Sequence, residues 1–243
     1  MTQSHAQQPA YDADLFEKSF LDLIAQISGT FQVALPTAKI SGLLDQILPA
    51  KNKAESATML CVISAHTDEG AGVLAADLAW LAAERDQRRV LLIDAGMSCG
   101  KSDMPTFQIP TTITAFLNTP QKPGRPIARL EKTNFHVAVL GDHNHSNIPE
   151  NTAAFTQFIA NCQSYFNVII IHVNNALASP HTLRLARLCD GILISVRAEK
   201  SRMPVLSHLK LVLERTKTPI IGAVLYARRR YIPGFLYRFI FRG

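Results

Sequence analysis

A chain of 243 residues with 47% hydrophobic content is long enough to bury one large α/β core. Met1–Ala10 is polar and carries no cleavable-signal pattern, and no apolar run reaches the roughly 18 residues of a spanning helix, so the expectation is a cytosolic protein. The net charge of +6 is not a nucleic-acid signal: Arg228, Arg229, Arg230, Arg238 and Arg242 place five positive charges in the last sixteen residues and leave about +1 for everything before them, so the basicity is assigned to a tail and no nucleic-acid partner is expected.

In chain order, residues 1–12 are polar and are expected to be a disordered N-terminus. From Asp12 onward, Leu15, Phe16, Phe20, Leu23 and Ile24 recur at helical spacing, which predicts a helix over 13–27. A second helical pattern over 40–47, with Leu43, Leu44 and Ile47, precedes a linker that ends at Ala57. These two helices either pack on the following domain or contact a neighbour.

Residues 58–64 read as a strand, followed by the acidic, glycine-bearing loop His66-Thr67-Asp68-Glu69-Gly70-Ala71-Gly72-Val73 and an alanine-rich helix over 72–85. Its small residues Ala75, Ala76, Ala79, Ala82 and Ala83 allow close approach to a sheet. Residues 88–94 are the next strand, continuous in Val90, Leu91, Leu92 and Ile93 as expected of a strand covered on both faces. Residues 95–126 form a Gly-, Pro-, Thr- and Ser-rich excursion with a short helical piece near 113–117.

A third strand over 135–140 leads into a polar loop and then a helix over 151–165, with Phe155, Phe158, Ile159 and Cys162 on one face. The most apolar strand, 168–173, is placed at the centre. Helix 180–188, strand 191–196, helix 205–215 and strand 219–225 complete the series. Strands alternating with helices at this spacing predict an α/β fold with a doubly wound, mostly parallel sheet flanked by helices, whose strand-end loops gather on one rim. Cys61, Cys99, Cys162 and Cys189 show no paired spacing and are expected as buried free thiols. The organisation is therefore 1–12 terminus, 13–57 helices and linker, 58–226 domain and 227–243 tail.

Several motifs in this order resemble the bacterial tyrosine kinase (BY-kinase) branch of the MinD/ParA-like deviant P-loop ATPases. The family's first strand and loop, apolar-TSA-xPGEGKST, is met by Ile63-Ser64-Ala65-His66-Thr67-Asp68-Glu69-Gly70-Ala71-Gly72-Val73, and its LLIDAD by Leu91-Leu92-Ile93-Asp94-Ala95-Gly96. Its DxVIIDTPP is met by Asn167-Val168-Ile169-Ile170-Ile171-His172-Val173-Asn174-Asn175, its ADGVLLVVR by Cys189 to Arg197, and its GxVLN by Gly222 to Tyr226.

The resemblance implies the P-loop NTPase fold; the departures fall on its chemistry. Ala71 stands for the phosphate-reaching lysine, and Gly72 and Val73 for hydroxyls at phosphate and magnesium. Gly96 stands for a carboxylate, His172 for the Walker B aspartate and Tyr226 for an adenine-reading asparagine, while Glu69, Gly70 and Asp94 persist. A charge-assisted contact contributes about 1.5–3 kcal/mol, so at about 1.4 kcal/mol per tenfold losing lysine and metal shell together moves a micromolar nucleotide site to millimolar or weaker. No cofactor is expected beyond weak ATP or ADP binding in a degenerate pocket of Glu69, Gly70, Ala71, Gly72, Asp94, His172 and Tyr226. Asp94 is the residual candidate for a general base. Glu17, Phe20 and Leu23 share the spacing of the family's ExxRxxR oligomer motif without its arginines, and homo-oligomerisation stays open.

Asp142, His143 and His145, with His136 on the preceding strand, lack a thiolate and a metal-ligand spacing, and no metal is expected. In the tail, Ile232, Phe235, Leu236, Phe239 and Ile240 line one side of a helical projection flanked by Arg238 and Arg242, with Arg228–Arg230 behind. A helix there spans less than about 20 Å, too short to cross a bilayer, and the pattern is interfacial; its alternatives are packing on a partner or on the domain itself. Tyr231, Phe235, Leu236, Tyr237 and Phe239, with the five arginines, are the expected membrane or partner contacts. The resemblance then implies a catalytically degenerate, BY-kinase-like pseudokinase, cytoplasmic and peripheral at the inner membrane. Its partners would be a polysaccharide co-polymerase membrane protein of the Wzz/Wzc kind and an anionic membrane surface, in exopolysaccharide biosynthesis, capsule or polysaccharide export. The alternatives are an active ATPase or protein tyrosine kinase of the same fold, or a MinD-like membrane-positioning protein.

Overall fold

The computed structural model describes residues 37–48, 57–67, 69–95, 111–119, 124–130, 133–141, 152–178 and 182–226. The expected helix over 13–27, Cys99, Gly96, the Asp142–His145 loop and the whole tail, Arg228 to Arg242 included, lie outside those residues.

Seven strands form one sheet in the order β3-β4-β2-β5-β1-β6-β7: β1 Thr58–Ser64, β2 Val90–Asp94, β3 Ile127–Arg129, β4 Phe135–Val139, β5 Val168–Val173, β6 Gly191–Arg197 and β7 Ile220–Tyr226. All neighbouring pairs are parallel except β3 with β4. β5 is central, as its sequence predicts, and every one of its side chains is buried. A strand covered on both faces has no solvent side to alternate toward.

The expected doubly wound α/β architecture is therefore present, with one addition. β3 falls where the sequence shows no strand pattern: it is three residues long, lies at the sheet edge and is half-buried to exposed. At the other edge the β6–β7 register skips between Ile192↔Ile220 and Leu193↔Gly222, so Ile221 is an inserted bulge residue. Gly191 accommodates it, since a Cβ there would stand 2.8 Å from the Ile221 side chain.

Helices cover both faces. On one, α1 Thr37–Ile47 and α2 Ala71–Glu84 pack over Leu60, Val62, Val90, Leu92, Val168 and Ile170. The alanines of α2 bring its backbone close to the sheet, and Ile40, Leu44 and Leu48 of the α1 segment follow at i, i+4 and i+8. Arg85 ties α1 to the end of α2 through Asp45 Oδ1 at 2.8 Å and the Ser41 carbonyl at 3.2 Å. The second expected N-terminal helix thus packs on the domain.

On the opposite face, α4 Thr152–Tyr165, α5 Thr182–Ala186 and α6 Met203–Glu214, with α3 Ile113–Asn118 at one end, cover Cys61, Ile63, Leu91, Ile93, Ile169, Ile171 and Ile194. The seam between β1 and β6 is closed by Asp190. Its backbone N–H donates to the Met59 carbonyl at 2.8 Å and its carboxylate accepts from the Met59 N–H at 2.7 Å. Cys61, Cys162 and Cys189 are buried free thiols, and burial pushes the Cys162 thiol up to about 11. Among the described residues no helix is long and apolar enough to cross a membrane.

Candidate functional site

The carboxyl ends of β1, β2, β5 and β6 stand side by side because β5 and β1 occupy the middle of the sheet. That rim, where strand order reverses, is where an open α/β sheet builds a ligand crevice. The loop leaving β1 turns into α2 at Gly70, whose φ of 75° and ψ of 17° are left-handed. A side chain at that position would be strained, which accounts for glycine there. The Gly70 carbonyl accepts from Leu74 N–H at 3.0 Å and opens the helix.

Glu69, immediately before, is fully buried, and both its oxygens are engaged. Oε2 accepts from the His66 N–H at 3.0 Å, and Oε1 accepts from the Ser201 hydroxyl at 2.6 Å. Ser201 Oγ accepts in turn from the Arg197 N–H at 2.9 Å, and the Glu69 carbonyl accepts from Ser195 Oγ at 2.6 Å. The loop is therefore bonded to the end of β6 and to the turn before α6. A buried carboxylate is tolerated when donors surround it, and here those donors fix the loop's conformation.

Ala71 and Gly72, the first residues of α2, are also buried, and the Ala71 methyl belongs to the α2-side core. Where the resembled family extends a lysine toward phosphate, this chain has a small apolar group with no solvent exposure.

Asp94, the last residue of β2, and His172, the last but one of β5, stand in direct register on adjacent strands. His172 Nδ1 lies 2.9 Å from Asp94 Oδ1, the imidazole having no exposure and the carboxylate 13%. Backbone bonds hold both: the Ala95 N–H donates to the His172 carbonyl at 2.9 Å and the Leu140 N–H to the Asp94 carbonyl at 2.8 Å. The carboxylate orients the ring with Nδ1–H toward itself and leaves Nε2 as the second nitrogen. Among the described residues, Nε2 is buried without a hydrogen-bond partner.

Beside this pair, Asn174 is 1% exposed with its side-chain oxygen 3.1 Å from Ser64 Oγ, and the Ser64 hydroxyl donates to the His66 carbonyl at 2.8 Å. The Ala176 N–H then donates to the Ser64 carbonyl at 3.0 Å.

These residues do not fit a magnesium nucleotide. Mg²⁺ takes oxygen ligands in octahedral geometry, yet the β5 end presents an imidazole that is bonded to the Asp94 carboxylate, and both Glu69 oxygens are occupied. No step of phosphoryl transfer is assigned to the site.

The sequence-derived candidates divide accordingly. Glu69, Gly70, Ala71, Gly72, Asp94 and His172 gather at the rim, whereas Tyr226 is the last residue of β7 and pairs in register with Arg197. His136 stands apart, buried along β4 against Phe166 at 5.0 Å between ring centroids, with its Nδ1 3.2 Å from the Asn134 carbonyl. Burial, then the neighbouring arginines Arg129 and Arg89, hold its pKa below the usual histidine value. Sequence reasoning missed Ser64, Asn174, Ser195 and Ser201. Their one signal is a polar residue in the last residues of an apolar strand or in the loop that follows it.

No protein-family model and no curated protein matches the chain. Solved structures do. The kinase domain of Escherichia coli tyrosine kinase ETK aligns with a TM-score of 0.61 at 19% identity, covering 82% of this chain and 80% of that one. The chimerical protein CapA2B2 aligns at 0.66 and 17%, covering 84% and 90%. A ParA family ATPase from Chlorobium tepidum TLS aligns at 0.58 and 10%, covering 77% and 81%. At such identities the likeness establishes the fold, that of BY-kinase kinase domains and ParA-like P-loop ATPases.

Proposed function

We propose that this protein is a catalytically degenerate BY-kinase-like protein, a pseudokinase that regulates or scaffolds an inner-membrane exopolysaccharide synthesis and export complex. One observation carries the reading: the Asp94 carboxylate is hydrogen-bonded to a fully buried His172 at the Walker B position, on a fold shared with tyrosine kinase domains. With Ala71 packed in the core at the lysine position, the groups that would place a phosphate and its metal are replaced by internal contacts.

Function then resides on surfaces. A polysaccharide co-polymerase in the inner membrane is the proposed protein partner, and the basic aromatic segment 227–243, with its interfacial sequence pattern, is the proposed attachment to an anionic leaflet. ATP or ADP binds weakly at most.

Calorimetric titration with ATP, with and without magnesium, tests the core of this reading, which expects no saturable binding at micromolar concentration. Micromolar binding abolished by Asp94→Asn would instead establish an ATPase or tyrosine kinase working through a rearranged site. Co-purification from native membranes tests the partner: recovery of a polysaccharide co-polymerase is expected, and recovery of no membrane protein rejects the scaffold role.

A further inference from the structure

The charge ahead of the tail is not evenly spread. Residues 182–226 hold eight lysines and arginines against three carboxylates, so together with the five tail arginines the last 62 residues carry +10, while residues 1–181 are net −4. The expectation that basicity belongs to the tail alone is thereby corrected: the near-neutral remainder is an acidic part and a basic part, and the basic part is folded.

Exposed apolar side chains collect in the same part. Met203 is 73% exposed, Leu211 60%, Leu225 52% and Ile221 43%, all of them on α6 and β7. On α6, Met203, Ser207, Lys210 and Leu211 follow at i, i+4, i+7 and i+8. They share the face opposite Leu209 and Leu213, which enter the core. β7 is the sheet edge. Leu225 pairs in register with Val196, one residue before β6 ends at Arg197 and six before exposed Arg202 opens α6. The start of α6 and the end of β7 thus share the rim at which the chain leaves for residues 227–243.

Met203 and Leu211 lie about 12 Å apart along the helix at 1.5 Å per residue, with Lys210 between them and Glu214 on the same face 3.8 Å from the Lys210 ammonium. Isolated apolar groups set among cations suit a lipid headgroup layer, which requires no matching shape. A stable protein interface needs a continuous, desolvated apolar centre instead.

We propose that the outer face of α6 and the end of β7 form a docking surface for an anionic phospholipid bilayer, with Met203, Leu211 and Leu225 entering the headgroup boundary and Arg202 and Lys210 meeting lipid phosphates. This rests on the peripheral-membrane reading above and adds that the folded domain itself touches the bilayer.

Co-sedimentation of the full chain with neutral phosphatidylcholine vesicles and with vesicles containing phosphatidylglycerol tests it. The wild type is expected to sediment with the anionic vesicles. Met203→Ser/Leu211→Ser is expected to lower that partition at least roughly tenfold through lost apolar burial, and Arg202→Gln/Lys210→Gln roughly thirtyfold, given about 1 kcal/mol per basic residue at an anionic surface, each with the thermal midpoint unchanged. Undiminished binding by both variants overturns the docking face while leaving a tail-mediated attachment standing. Failure of the wild type to bind any vesicle overturns both. Capture of the chain by polyglutamate beads, without vesicle binding, reassigns the face to an acidic protein and likewise overturns the proposal.

Discussion

Removing the Ser201 hydroxyl tests whether the loop after β1 is a fixed turn. Ser201 Oγ donates to Glu69 Oε1 at 2.6 Å and accepts from the Arg197 N–H at 2.9 Å, and the Glu69 side chain has no exposure to recruit water in its place. Ser201→Ala therefore leaves a buried carboxylate oxygen short of a donor, costing about 2 kcal/mol, and a backbone N–H short of an acceptor, costing about 1 more. For a chain of this size, at about 2–4 °C per kcal/mol, the thermal midpoint should fall by roughly 6–12 °C. Glu69→Gln weakens the same bond from the other side. The double variant, followed by circular dichroism, should show a coupling of about 1–2 kcal/mol between the two positions. ATP titrations of both variants should stay as flat as that of the wild type. An unchanged midpoint in Ser201→Ala, or zero coupling, would refute the claim that this bond holds the loop. A gain in ATP affinity would show that the bond closes a working site.

Two further perturbations probe the rim and its supporting helix. His172→Asp sets two carboxylates in register at the ends of β2 and β5; in a chelator this should destabilise the fold by about 3 kcal/mol through like-charge repulsion and burial. Added magnesium should raise the urea midpoint of the variant and not of the wild type, and a magnesium-independent midpoint would refute the assignment of His172 to the metal position. Asp77 on α2 has its pKa pushed by burial from 3.8 to about 6. The folded state therefore holds this proton more tightly than the unfolded chain, and stability contributed by the protonated form is present below pH 4 and is lost as pH rises through 6. Asp77→Asn should stabilise the protein at pH 7 by about 1–2 kcal/mol after allowance for partial exposure, with the gain vanishing at pH 4; an equal gain at both pH values would refute it.

The sheet was legible because its central strands are covered on both faces. Val168–Ile171 and Val90–Ile93 are continuous apolar runs, and the alanines of α2 announce a helix lying close to a sheet. β3 was not legible, since three half-exposed residues paired at an edge carry neither alternation nor an apolar run. The Ile221 bulge leaves no local trace either: it exists only relative to β6, and Gly191, which makes room for it, lies 30 residues earlier. The site was legible by position and not by bonding. The resemblance places Asp94 and His172 at strand ends, but their hydrogen bond depends on the register of β2 with β5, strands 78 residues apart in the chain. Ser195 and Ser201 meet Glu69 across separations of 126 and 132 residues, and a serine late in an apolar strand or beyond it is too common to single out. Charge misled when it was summed, because residues 1–181, at −4, and residues 182–226, at +5, nearly cancel.

The replaced groups at the rim form a connected arrangement. Ala71 begins the helix that Gly70 opens, Gly70 follows a glutamate bonded to the end of β6, and His172 takes up the Asp94 carboxylate one strand over. A lysine introduced alone at position 71 would bring its charge to a site without solvent exposure, while the Asp94 carboxylate is already bonded to an imidazole. Returning only the position-172 carboxylate would leave two negative charges at the strand ends with no lysine facing them. Each single substitution toward the resembled motif would therefore be opposed by contacts that the other rim residues make, as expected when buried groups share partners and their effects do not add. An enzyme with one damaged residue would show the opposite, a vacancy whose surroundings still await the missing side chain. At this rim, Ala71 is packed, Glu69 is fully bonded and Asp94 is paired, which is why function is sought on the basic, apolar face of α6 and β7.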